Sequence, residues 1–503
     1  MAEPTGQEEG TMKPAPRQGH LDAQVFEEVV TATSELIRLD TTNRGGGEGN
    51  ERPAAEYVAS GLADAGIEPR LLEKKAGRTN VVARIEGSDP GAGALLLHGH
   101  LDVVPAEAAD WTVHPFSGEV RDGVVWGRGA IDMKNADAMA LSLVRAWARA
   151  GVRPPRDIVL AFTADEEDSA EFGSDFLVRE HPELFEGCTE GISESGAFTY
   201  HAGPGMRLYP VGAGERGTAW LKLTAHGRAG HGSKPNRANA VNRLAAAVHR
   251  IGEHEWPVRL TPTVRAALAR LAELHGLRPL AADAQDAEVD ALLAQLGPAA
   301  ALVQATVRNS ANPTMLEAGY KINVIPGTAT ARVDGRMVPG AEEEFHATLD
   351  ALTGPDVQWE FQHREIPLQA PVDSPLFAAM CEALEHFDPG AHAVPYCLSG
   401  GTDAKQFSRL GIVGYGFTPL KLPEGFDYQA LFHGVDERVP VEALHFGIRA
   451  LDRTLLGASG NPSPDSPNGT ATREDRSSAG LRPGGAPDDD TATTRDATTP
   501  SGG

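Results

Sequence analysis

Across 503 residues, 45 Lys and Arg stand against 70 Asp and Glu, giving a formal net charge of −25 and a pI near 5.1. That balance argues against a surface that tracks nucleic-acid phosphate, and 41% apolar with 23% charged residues describe a mostly globular chain, long enough for a substantial core. No apolar run approaches the roughly 20 residues of a membrane span, and the opening MAEPTGQEEGTMKPAPRQGH holds no leader-like apolar segment, so a soluble, cytoplasmic protein with no membrane partner is expected.

The Pro-, Gly- and Glu-rich start through residue 20 reads as a disordered tail. Helical periodicity begins with Phe26, Val29, Val30, Leu36 and Ile37. Apolar runs at Asn80 to Ile85, Ala94 to Leu97 and Asp157 to Phe162 read as buried strands, with Met133 to Ala150 helical between the last two. This alternation predicts an α/β domain with a central sheet. The texture changes near Glu215, where GTAWLKLTAHG alternates like a half-buried strand before the helical ANAVNRLAAAVHRIGE. Two more helical stretches, about Thr263 to His275 and Ala287 to Leu296, precede the strand pair TMLEAGYKINVIPG and TATARVDGRMVP, and Ser374 to His386 is helical again. The grouping predicts an α+β domain at 216–338 inserted between two parts, 21–215 and 339–456, of the α/β domain. From residue 457 to 503 the chain turns to Ser, Thr, Pro, Gly and Asp and reads as a second disordered tail.

Three widely spaced cysteines, Cys188, Cys381 and Cys397, form no CxxC pair and signal neither a disulfide framework nor a thiolate metal site. Nitrogen and oxygen ligands are better represented. LLLHGHLDVVP is an apolar strand ending in His98, His100 and Asp102, where the two-residue period puts His100 and Asp102 on one face as a ligand with its orienting carboxylate. A core histidine and a turn aspartate are the alternative. Asp132, in VVWGRGAIDMKN, follows a glycine-bearing loop at the start of a helix, where an aspartate is either a helix cap or a ligand. DIVLAFTADEED ends an apolar strand in Asp165, Glu166, Glu167 and Asp168, at the strand-end position where open α/β sheets bind ligands. One of Glu166 and Glu167 could bind metal while the other serves as general base; a solvated acidic loop is the alternative. Glu194 in EGISESGAF and His433 in LFHGVDERVP complete the set. Two imidazoles and three carboxylates suit zinc, cobalt or manganese, and five ligands suit two ions sharing a carboxylate better than one tetrahedral site.

Together HLD, GRGAIDMK, TADEE, ISES and HGVDE, in this order over residues 22–456, resemble the M20 family of dinuclear zinc peptidases and amidohydrolases, the group of carboxypeptidase G2, succinyl-diaminopimelate desuccinylase, acetylornithine deacetylase and aminoacylase-1. The resemblance implies a zinc-peptidase-like catalytic domain with a mixed central sheet and an inserted lid or dimerisation domain. It implies two Zn2+ per subunit, with Co2+ or Mn2+ as alternatives. His100 and Glu194 would hold one ion, Glu167 and His433 the other, and Asp132 both, with Asp102 orienting His100 and Glu166 as general base. GRAGHGSKP resembles the family's lid motif and makes His231 the histidine that crosses a dimer interface to polarise the scissile carbonyl. NVIPGTATARVDGRMVP places Asn323 at the oxyanion and Arg336 at the substrate carboxylate, and SGGTDA places Gly400 at the substrate's C-terminal end. Gly232 stands where the lid motif usually has Ala, and about 253–310 is longer than the compact family lid. The implied reaction is hydrolysis of an amide in a small peptide or N-acyl amino acid, by carboxypeptidase, dipeptidase or deacylase action, in a homodimer. An M28-like aminopeptidase and a noncatalytic homologue are the competing readings.

Overall fold

The computed structural model describes residues 19–458, so the two expected tails lie outside the described residues except at their inner ends. One of those ends departs from expectation: His20 Nε2 meets Asp452 Oδ1 at 2.7 Å.

The largest sheet runs, edge to edge, Arg70–Glu73, Thr79–Ile85, Ile158–Thr163, Ala94–His100, Cys188–Ser193, Val413–Gly416, Met206–Glu215 and Leu368–Gln369. The four strands from Ile158–Thr163 to Val413–Gly416 are parallel, and antiparallel pairs flank them, so the sheet is mixed. Every residue of Ala94–His100 and Ile158–Thr163 is buried. That explains their unbroken apolar sequence: helices cover both faces of a parallel sheet. Ala23–Arg38, Lys134–Ala150 and Val441–Gly457 pack together on one face, while Ser174–Glu180 and Ala404–Phe407 help cover the other. Asp22 caps the first of these helices by accepting from Val25 N, and Gly151, at φ 64°, ends the second in the left-handed conformation that costs glycine least.

A second, antiparallel sheet is ordered Ser310–Ala318, Thr328–Met337, Gly217–His226, Val357–Arg364. Alternate residues of Gly217–His226 face a core shared with the Ala240–Gly252 and Glu342–Thr353 helices. This grouping differs from a division at 216–338. The edge strand Val357–Arg364 and its helix lie beyond residue 338, and the helices Pro262–Leu274 and Asp286–Leu296 bury Leu268, Leu271 and Leu292 with Ala202, Leu208 and Val394 of the large sheet's margin. The chain passes between the sheets at Glu215 to Gly217 and returns at Glu365 to Leu368. Among the described residues no helix is long and apolar enough to cross a membrane, and the three cysteines are free.

Candidate active site

The parallel strands deliver their ends to one place. His100 is the last residue of its strand, Ile158–Thr163 runs on into Asp165 to Glu167, and Cys188–Ser193 runs on into Glu194. Asp132 enters from the loop before the Lys134–Ala150 helix, whose N-cap is Met133 without a side-chain cap, so the capping alternative for Asp132 does not hold. His433 arrives from the far end of the chain at φ 55°.

His100 Nε2 lies 3.2 Å from Asp132 Oδ1, 3.8 Å from Glu194 Oε2 and 4.0 Å from Glu166 Oε2. His433 Nε2 lies 3.2 Å from Asp132 Oδ2 and 3.0 Å from Glu167 Oε2. Asp132 therefore stands between the two imidazoles, one oxygen toward each. Metal-sized groupings form from His100, Glu166 and Glu194 and from His100, Asp132 and Glu167.

Electrostatics test whether cations fit here. Asp132, Glu166, Glu167 and Glu194 are four carboxylates drawn from water with two imidazoles between them. Burial, then the charge of Glu194, raises the Glu166 carboxyl well above its ordinary range; burial, then the charge of Asp132, also raises that of Glu167. Burial lifts Glu194 to about 8. Burial opposes charge on His100, yet the hydrogen bond to Asp132 and the nearby Glu194 carboxylate carry its pKa well up; His433 is pushed to about 10 by Asp132 and Glu167. Among the described residues, Glu167 Oε1 is buried without a hydrogen-bond partner. Crowded acids, an orphaned carboxylate oxygen and a sulfur-free donor set fit hard or borderline divalent cations.

A buried layer braces these side chains. The Asp102 carboxylate accepts from Asn43 Nδ2 at 2.9 Å and from the backbone N–H groups of Glu166 and Glu167, both at 3.2 Å. Because three donors occupy it, His100 Nδ1 pairs instead with the Asp102 backbone carbonyl at 2.9 Å, leaving the nearest Asp102 carboxylate oxygen at 3.6 Å. Asp102 thus holds His100 by its main chain and the Glu166–Glu167 turn by its side chain. The four consecutive acids part company. Asp165, at φ 66°, turns inward to accept from Arg78 Nη2 at 2.9 Å and Asn43 Nδ2 at 3.0 Å, while Asp168 accepts from Gly46 N at 3.2 Å. Glu437 receives the N–H groups of Ile131 and Asp132 at 2.8 and 3.1 Å and pairs with Arg128 at 2.6 Å, fixing the Asp132 loop. His98 is buried against Phe407, with its pKa lowered to about 3 by burial.

The centre opens into a cleft of about 480 Å3. Phe198, Tyr396, Tyr428 and Phe432, with Leu398, give it a largely aromatic side; Thr218, Trp220, Arg336 and His363 come from the second sheet. Gly400 also lines it. Arg336 is held as a fork by Asp334, Nε to Oδ1 at 2.7 Å and Nη2 to Oδ2 at 3.1 Å. His231 and Asn323 do not line the cleft. They sit together on an exposed two-stranded ribbon, where Gly232 N donates to Asn323 O at 2.9 Å.

Asn43, Arg78, Glu51, Arg128 and Glu437 are supporting residues that the sequence reading did not single out. Glu437 lies within HGVDE and was available there. Asn43, Arg78 and Glu51 carried no signal, being polar residues in ordinary surroundings.

The family model described as Peptidase family M20/M25/M40 matches residues 96–457. An N-fatty-acyl-amino acid synthase/hydrolase, PM20D1, of Xenopus tropicalis is 27% identical over 442 residues, covering 83% of each chain. Aminoacylase-1 of Sus scrofa is 27% identical over 444 residues, 86% of this chain and 96% of its own. Among solved structures, the M20 family metallo-carboxypeptidase Sso-CP2 of Sulfolobus solfataricus superposes with a TM-score of 0.64 at 18% identity, covering 86% of this chain and 99% of that one. Human carnosine dipeptidase 1 gives 0.60 at 17% identity, over 87% and 98%.

Proposed function

This chain belongs to peptidase family M20/M25/M40, and from that premise we propose that it is a metal-dependent hydrolase of the amide bond in N-acyl amino acids and small peptides. The observation that carries the reading is the convergence of His100, Asp132, Glu166, Glu167, Glu194 and His433 at one end of a cleft large enough for such a substrate. Relatives named for N-acyl amino acid chemistry favour that substrate class over peptides. The intact ligand set and base weigh against a noncatalytic homologue, and the family match sets aside the M28-like alternative.

His100 and Glu194 would hold one ion, His433 and Glu167 the other, and Asp132 both; zinc is proposed, with cobalt or manganese as alternatives. Such ions supply Lewis-acid polarisation and a water acidified toward neutrality. Glu166, held by its backbone N–H on Asp102, accepts the proton of the attacking water and returns it to the leaving nitrogen. The Arg336 fork, pre-aligned by Asp334, receives the substrate carboxylate, and Gly400 borders the same cleft.

His231 and Asn323 are proposed to act on the cleft of a second copy, in a homodimer formed through the smaller sheet. Exposed Met315, Leu316, Tyr320 and Ile322 beside that sheet's free edge support such a contact.

The test is hydrolysis of a mixed panel of dipeptides and N-acyl amino acids by zinc-reconstituted protein, followed by mass spectrometry, with Glu166→Ala as control. Wild type is expected to cleave one or more of them, and the variant to bind metal normally while losing at least about a thousandfold in turnover. A fully active Glu166→Ala would remove Glu166 from the role of base.

A further inference from the structure

Three tyrosines among the described residues are buried: Tyr209, Tyr415 and Tyr428. The first two place their hydroxyls as buried phenols ordinarily do. Tyr209 Oη donates to Asp388 at 3.1 Å, and Tyr415 Oη donates to the Pro371 carbonyl at 2.9 Å. Tyr428 differs. It is only 4% exposed, yet no protein group among the described residues shares a hydrogen bond with its hydroxyl. Its ring is fixed, stacked on Phe198 with centroids 4.2 Å apart and edge-on to Phe432 at 4.8 Å. It lines the same cleft as Asp132, Glu166, Glu194 and His433.

The geometry points to Tyr428 as a further catalytic residue, whose phenol donates a hydrogen bond to the carbonyl oxygen of the scissile amide as that oxygen gains negative charge. Burial of the ring disfavours the charged phenolate, so the group keeps the proton it must donate. A neutral donor without a competing acceptor, held by two aromatic contacts, is pre-organised for a developing oxyanion. It belongs to the chain that carries the ligands, and so acts whether or not a second copy presents His231. No bond to the tyrosine forms or breaks.

This inference rests on the amide hydrolase reading, and one experiment separates the two. Metal-loaded wild type and Tyr428→Phe are compared on N-acetyl-L-phenylalanine and the dipeptide panel. Binding of N-(methylphosphonyl)-L-phenylalanine, tetrahedral where the amide carbon reacts, and metal content are measured on both. The expected result is a fall in kcat of about a hundredfold or more with KM within about threefold, a matching loss of affinity for the tetrahedral analogue, and unchanged metal content and melting temperature. A Tyr428→Phe enzyme with wild-type kcat overturns the role of Tyr428 and leaves the hydrolase reading standing. So does a loss confined to KM or accompanied by lost metal. A wild type that cleaves nothing in the panel overturns both.

Discussion

At the sheet end of the cleft, His100, Asp132, Glu166 and Glu167 each rest on a second, buried group; on the second-sheet side, Trp220, Arg336 and His363 are part-exposed, and Arg336 is held mainly by its own strand neighbour. His100 leans on the Asp102 main chain, Glu166 and Glu167 hang from the Asp102 carboxylate, and Asp102 shares Asn43 with Asp165, which Arg78 secures. Arg336, by contrast, is steadied by Asp334 two residues away, and Trp220 is 48% exposed beside His363. The first arrangement fixes atoms for chemistry that tolerates little displacement. The second sets the shape and charge of a pocket, where substitution changes which substrate fits before it changes how fast a fitted one reacts.

The sharpest way to break this contrast is to cut the buried layer far from substrate. Arg78, Glu51 and Asp165 have no exposed side-chain surface, and the Arg78 guanidinium reaches both carboxylates at 2.7 to 2.9 Å. Arg78→Met strands two buried acids, so a loss of about 3–5 kcal/mol in denaturant-unfolding free energy is expected, with weakened metal retention in what remains folded. A variant as stable as wild type would show that the layer is not what holds the sheet end of the cleft.

On the other wall, Arg336→Lys keeps the charge but loses the fork. The expected outcome is a rise in KM of about 10- to 100-fold for carboxylate-bearing substrates, with kcat within a few-fold and unfolding free energy within about 1 kcal/mol, read by steady-state kinetics and denaturation. A collapse of kcat instead would put Arg336 with the fixed groups and erase the distinction.

The same contrast explains what could be read from the sequence. Buried parallel strands announce themselves as unbroken apolar runs, and their ends carry His100, Glu166, Glu167 and Glu194, so the centre was legible from short strings in chain order. Asp102 was placed correctly beside His100, but the exchange of carboxylate for main-chain carbonyl depends on Asn43 and on two backbone donors that no string encodes. The second sheet was legible in its first strands and not in its extent. Val357–Arg364 joins by pairing with Gly217–His226 across some 140 residues, and the apolar faces of Pro262–Leu274 and Asp286–Leu296 do not name the surface they cover. Tyr428 is an aromatic in an ordinary stretch until the fold shows which tyrosines already have partners.

Where the chain crosses between the sheets, two half-buried acids of opposite tendency meet, and here the expected effect is smallest. Burial works to raise Glu365, but the neighbouring His363, the charge and hydrogen bond of Lys405 Nζ and the hydrogen bond of Thr218 outweigh it and hold its carboxyl well below the ordinary range. Among the described residues Glu215 receives hydrogen bonds only from Thr402, through its N–H and hydroxyl, and burial prevails over these and the charge of Lys405, lifting it to about 6 from 4.5. A carboxyl whose folded pKa is raised stabilises the fold when protonated. Its contribution is therefore complete below about pH 4.5 and is lost as pH rises through about 6, the reverse of Glu365, whose contribution is present above the ordinary carboxylate range and fades as pH falls. Unfolding free energy measured from pH 4 to 7.5 should thus show Glu215→Gln gaining on wild type by about 1–2 kcal/mol across pH 4.5 to 6 and running parallel to it above. A difference that stays flat with pH would mean that the folded Glu215 carboxyl titrates where the unfolded one does, the charge of Lys405 and the Thr402 hydrogen bonds then fully offsetting its burial.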